Sequence, residues 1–116
     1  MERAHEGVPS LLKNHARRGG HALLPTPVVA EVWRGGAGRQ ARLADFLKDS
    51  LRSGYLRVIP LDYDLAKRVG ILLGKTHMSV ADGSVCVCAQ EYGAIVVTSD
   101  PRDIQRVIPL NRIRIV

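Results

Sequence analysis

Four carboxylates stand where the chain could use them together. Glu31 interrupts the apolar run VVAEVW, Asp82 follows Ser79 by three residues, Asp100 directly follows the β-branched run AIVVTS, and Asp103 comes one turn later. Carboxylates held close to one another repel and cost stability unless a hard cation neutralises them, and Mg2+ or Mn2+ takes oxygen ligands of this kind. A cation so held can turn bound water into a nucleophile and clamp a phosphodiester for in-line attack. Each acid also has a purely local role open to it. Asp82 fits a capping box with Ser79, Asp100 an N-cap before Pro101, Asp103 a first-turn position favoured by the helix dipole, and Glu31 a solvated helix position. Glu31 suits its local role least, because an aliphatic residue is what the run around it calls for.

The elements that must carry these acids follow from periodicity and stop signals. Val8, Leu11, Leu12 and Ala16 share one helical face over residues 8–18, and Gly19-Gly20 ends that helix. A short strand over His21 to Pro25 follows. In PTPVVAEVWRGG, Thr26 is a plausible N-cap and Pro27 suits the first helical position, with Gly35-Gly36 as the stop. A further helix runs from Ala41 to Leu51 ahead of Gly54, a strand from Leu56 to Leu61, and a helix that begins at Asp62 or Asp64. Ser79 starts the helix Val80 to Glu91, Gly93 ends it, and Ala94 to Thr98 has the composition of a strand buried on both faces of a parallel sheet. A short helix over Arg102 to Val107 and an edge strand over 112–116 complete the chain. The alternation predicts one α/β domain over residues 1–116, a three-layer α/β/α sandwich with a mostly parallel sheet. In such a sheet, ligands bind beyond the carboxyl ends of the strands, which is where Asp100 falls and where Asp82 and Glu31 can reach.

Composition narrows the classes. The chain has 116 residues, 46% of them hydrophobic, with 17 Lys and Arg against 11 Asp and Glu and a net charge of +6. That hydrophobic content argues against disorder, and no apolar run is long enough for a membrane span. No signal sequence is visible, so a cytoplasmic location without membrane association is expected. Thirteen of the 17 basic residues are Arg, the side chain that grips phosphate bidentately, although an evenly spread charge would serve solubility equally well. Cys86 and Cys88, two apart in an apolar stretch, are expected to be buried thiols. Trp33 is expected in a core or a dimer interface, with base stacking as the alternative.

Three blocks in order, PVVAEVWRG (27–35), VADGSVCVCAQEYG (80–93) and IVVTSDPRDI (95–104), resemble PIN-domain proteins, and specifically VapC-type toxins of bacterial toxin–antitoxin pairs. The resemblance implies a Mg2+-dependent endoribonuclease, with Mn2+ as an alternative, inhibited by a cognate VapB-like antitoxin, and it suggests a homodimer. It assigns Glu31, Asp82 and Asp100 as catalytic metal ligands and Asp103 as an additional ligand, with the Thr98 or Ser99 hydroxyl beside them. Such domains open with a central strand that ends in Asp, and no segment of this chain matches it. The domain is therefore expected to be incomplete at its N-terminus, through a start codon placed too far downstream or through decay of the reading frame. Two other functions stay open: a catalytically silent PIN-like remnant that binds RNA or an antitoxin, and an unrelated small α/β domain whose acids are helix caps.

Overall fold

The computed structural model describes residues 15, 17–34, 45 and 47–115. Most of the expected first helix over residues 8–18, Gly35-Gly36 and most of Ala41 to Phe46 lie outside those residues. Contacts divide the chain into two compact units, Met1–Ile59 and Pro60–Val116.

In the first unit, β1 (Ala22–Pro25) leads without a gap into α1 (Thr26–Arg34). Pro27 suits this junction, because the first helical N–H groups have no intrahelical acceptor and a missing one costs nothing. Residues 47–53 are helical, and Gly54 ends them at φ +85°, a left-handed conformation that a β-carbon would strain. The chain then enters β2 (Leu56–Ile59), which pairs in parallel with β1 in the register Ala22 to Leu56 through Pro25 to Ile59. A helix between two parallel strands is the βαβ crossover that the alternation predicts. Val32 and Leu56 are the buried apolar residues here.

The second unit begins with α2 (Tyr63–Thr76), whose N-cap Asp62 accepts a hydrogen bond from the Leu65 N–H at 2.9 Å. The helix ends at His77, which sits at φ 59° and donates its N–H to the Leu73 carbonyl at 3.0 Å. Ser79 then caps α3 (Val80–Tyr92), accepting from the Asp82 N–H at 3.1 Å, and Gly93 closes it at φ 61°. The first and last turns of α3 are thus placed by the residues that the sequence singles out for them. Strand β3 (Val96–Thr98) pairs in parallel with β4 (Ile113–Ile115).

Met78, Cys86, Ala89, Val96, Ile104 and Ile108 form the buried cluster, with Leu72, Leu73, Val85, Val107 and Ile113 packed against it. Helix α3 is buried around much of its circumference, as expected of an internal helix whose apolar residues are not confined to one stripe. Both cysteines are free and buried, and burial pushes the Cys86 thiol up to about 11. Gly83 lets α3 approach α2 closely: a β-carbon there would meet Leu73 Cδ2 at 2.8 Å and Val69 Cγ1 at 3.2 Å. Replacing Gly83 with Leu should therefore destabilise the protein by about 2 kcal/mol, since overpacking outweighs the gain in helix propensity. Urea unfolding of the variant beside the wild type measures the difference.

The fold is α/β with parallel strand pairs, as the alternation predicts, but three details differ. Strand β3 is shorter than Ala94 to Thr98, and its two sides are unequally buried among the described residues. Val96 is buried on the α3 side, whereas Val97, opposite Arg114, is 37% exposed. The expected helix over Arg102 to Val107 is a single 3₁₀ turn, Ile104–Arg106. Pro109 lacks the N–H that would extend this turn and its ring opposes a continuing helix, so a second short turn, Leu110–Arg112, follows instead. Among the described residues, no helix is long and apolar enough to cross a membrane.

Candidate active site

Three of the four candidate acids belong to the second unit: Asp82 in the first turn of α3, Asp100 directly after β3, and Asp103 directly before Ile104. Helix α3 and β3 are joined by the tight turn at Gly93, so the first turn of α3 lies at the end of the unit to which β3 runs. Asp82 occupies that first turn, one turn before Cys86, and Asp103 precedes buried Ile104, which packs in the same cluster as Cys86. After burial itself, the negative charges of Asp82 and Asp103 are what raise the Cys86 thiol, which places both carboxylates within electrostatic reach of one side chain.

Asp100 follows β3 and is held by its own loop. Its N–H donates to Thr98 Oγ1 at 3.1 Å, and the Thr98 hydroxyl donates to the Asp100 carbonyl at 3.2 Å. The hydroxyl expected beside the site is therefore a backbone clamp on Asp100. The carboxylate in turn accepts Arg102 Nε at 2.9 Å on one oxygen and Arg102 Nη2 at 2.7 Å on the other, with the Arg102 N–H at 3.3 Å as a third donor. These hydrogen bonds hold the Asp100 carboxyl at about 2, well below the usual range. Asp103 has a looser partner in Arg106 at 3.8 Å, and Arg106 also donates to the Thr76 carbonyl at 3.0 Å.

Glu31 lies on α1 in the first unit, exposed, with Arg34 Nη1 at 3.5 Å. Among the described residues, no three His, Cys, Asp or Glu side chains stand close enough together to hold one metal ion. The donors are chemically right for a hard divalent cation, all being carboxylates, but their arrangement here does not assemble a complete ligand set.

A family model for the PIN domain matches residues 2–108. The chain belongs to the PIN-domain family. PIN domains are in general nucleases, and the α/β architecture with short parallel strands agrees with that membership. No curated protein and no solved structure matches the chain.

Two features of this PIN domain were not read from the sequence. Arg102 is one; the signal was the Asp-Pro-Arg spacing, in which Pro101 turns the chain so that the side chain two residues on can fold back over the carboxylate. The other is the setting of Trp33, which is 44% exposed and carries Lys48 Nζ 5.1 Å from its ring centroid. It lines an open apolar groove of about 360 Å³ with Leu24, Val29, Leu51 and Val58, all within the first unit.

Proposed function

We propose that this PIN domain is a metal-dependent endoribonuclease of the VapC toxin type, kept inactive by a VapB-like antitoxin. What supports the reading is the PIN-family match over residues 2–108, together with Asp82 and Asp103 on segments that pack around Cys86 and Ile104 and Asp100 directly after β3. The family resemblance adds Glu31 as a fourth acid. A bound Mg2+, or Mn2+ in its place, would supply Lewis-acid stabilisation and a nucleophilic water. The chain's own share is to orient the acids: Ser79 fixes the first turn of α3 under Asp82, Thr98 clamps the backbone of Asp100, and Ile104 anchors the turn that bears Asp103. Exposed Arg114, on β4 of the same unit, has no ion-pair partner among the described residues and is a cation free to meet RNA phosphates.

The purified protein should cleave single-stranded or structured RNA with Mg2+ and lose that activity with EDTA. Cleavage that survives EDTA would refute the reading. The engagement of Asp100 by Arg102 favours a second possibility, a silent domain that binds RNA or an antitoxin, for which the same assay shows RNA binding without metal-dependent cleavage.

A further inference from the structure

We infer that Arg102 is an internal counter-cation that occupies Asp100 in the metal-free protein and must be displaced before Asp100 can ligate a divalent ion. This inference rests on the metal-dependent reading above and adds to it a residue that the acids alone do not suggest. The disagreement between a suitable set of donors and the lack of an assembled site motivates it. Both Asp100 oxygens are used by one guanidinium, in the fork geometry that matches a carboxylate, and the backbone of the same arginine adds a third donor. An ion approaching Asp100 meets a carboxylate already neutralised and directionally bonded.

The contact is local, two residues apart in sequence, so little chain entropy is spent in closing it, and the Thr98 clamp holds the backbone in the conformation that permits it. It is also solvent-exposed: the Arg102 side chain is 83% and that of Asp100 56% accessible. Exposed pairs are weak, so the guanidinium can swing away without disturbing any packed residue. A weak, exposed fork is what an exchangeable counter-ion requires: strong enough to hold Asp100 when no metal is present, and weak enough to yield to one. Arg102 is thus a positioning residue acting through Asp100. The other candidate pairs lack this geometry, since Arg34 to Glu31 at 3.5 Å and Arg106 to Asp103 at 3.8 Å are single, longer contacts.

The test uses the full chain and Mn2+ alone, with free Mn2+ read by electron paramagnetic resonance and no RNA present. Arg102→Gln should bind Mn2+ about two- to fivefold more tightly than wild type, the range expected for release of an exposed pair. In an Asp100→Asn background the same substitution should give no gain, because the guanidinium then has no carboxylate to mask. Equal or weaker binding by Arg102→Gln overturns the inference. So does a gain that persists in the Asp100→Asn background, which would mark a general effect of lost positive charge. If wild type and both variants all fail to bind Mn2+, the metal-dependent reading itself falls and this inference with it. Arg102 is so exposed that the substitution leaves the fold intact, and circular dichroism of the variant confirms that its binding is compared in the same structure.

Discussion

Asp100→Asn should reduce Mg2+-dependent RNA cleavage by at least about a hundredfold while leaving the protein folded. The size follows from the position: groups that only hydrogen-bond to a metal ligand already cost about 10- to 100-fold when removed, so a direct ligand belongs at or beyond the upper end. The fold should survive because Asp100 is exposed and its backbone clamp to Thr98 does not use the carboxylate. Asparagine keeps the shape and one acceptor oxygen but loses the charge that a divalent ion needs. The measurement is a single-turnover cleavage rate on a labelled RNA, beside a thermal melt of the same preparation. An unchanged rate would remove Asp100 from the site. Its carboxyl, held at about 2 by Arg102, is ionised throughout the neutral range, so protonation of Asp100 should not shape the activity profile above pH 4. The sign agrees with stability: the depressed value means that the small contribution of this pair is present above the ordinary carboxylate range and is lost as pH falls toward 2.

Ile104→Ala should cost about 2–5 kcal/mol of stability and disperse the acids together. Ile104 is 2% exposed and lies in the cluster with Met78, Cys86, Ala89, Val96 and Ile108, where its loss leaves a cavity bounded by α3 and the segment after β3. That cluster sets how far Asp103 stands from Asp82. A domain of this size has only about 5–15 kcal/mol in hand, so a loss in that range takes a large share of it. Chemical denaturation should show a midpoint lowered well beyond that of Asp100→Asn. The exposed thiol count should rise in parallel, because Cys86 is shielded by the same packing. An Ile104→Val variant should lose about 0.5–1.5 kcal/mol, which distinguishes cavity formation from disruption of the turn.

Much of the second unit could be read from residue order. Ser79, Gly93 and Asp62 act through contacts three to five residues away, so the chemistry that starts and stops α2 and α3 is contained in the segments themselves. The apolar β-branched run before Asp100 is a strand for the same kind of reason, and the acid that follows it falls at a carboxyl end. The positions of Asp82 at a helix start and Asp100 after a strand were therefore legible without a structure. The helix expected over Arg102 to Val107 was not, since its periodicity spans barely more than one turn and Pro109 limits what can form.

The Arg102 fork on Asp100 is a local contact as well, two residues apart, but Asp100 can equally serve helix N–H groups or a cation, and residue order alone does not choose among them. Tertiary structure decided the packing: the approach of Gly83 to Leu73 and Val69, the burial of Ile104 with Cys86, and the pairing of β3 with β4 depend on residues distant in sequence. Local order settles caps and periodicity because those interactions reach across a single turn. Packing joins segments whose separation no short window of sequence contains.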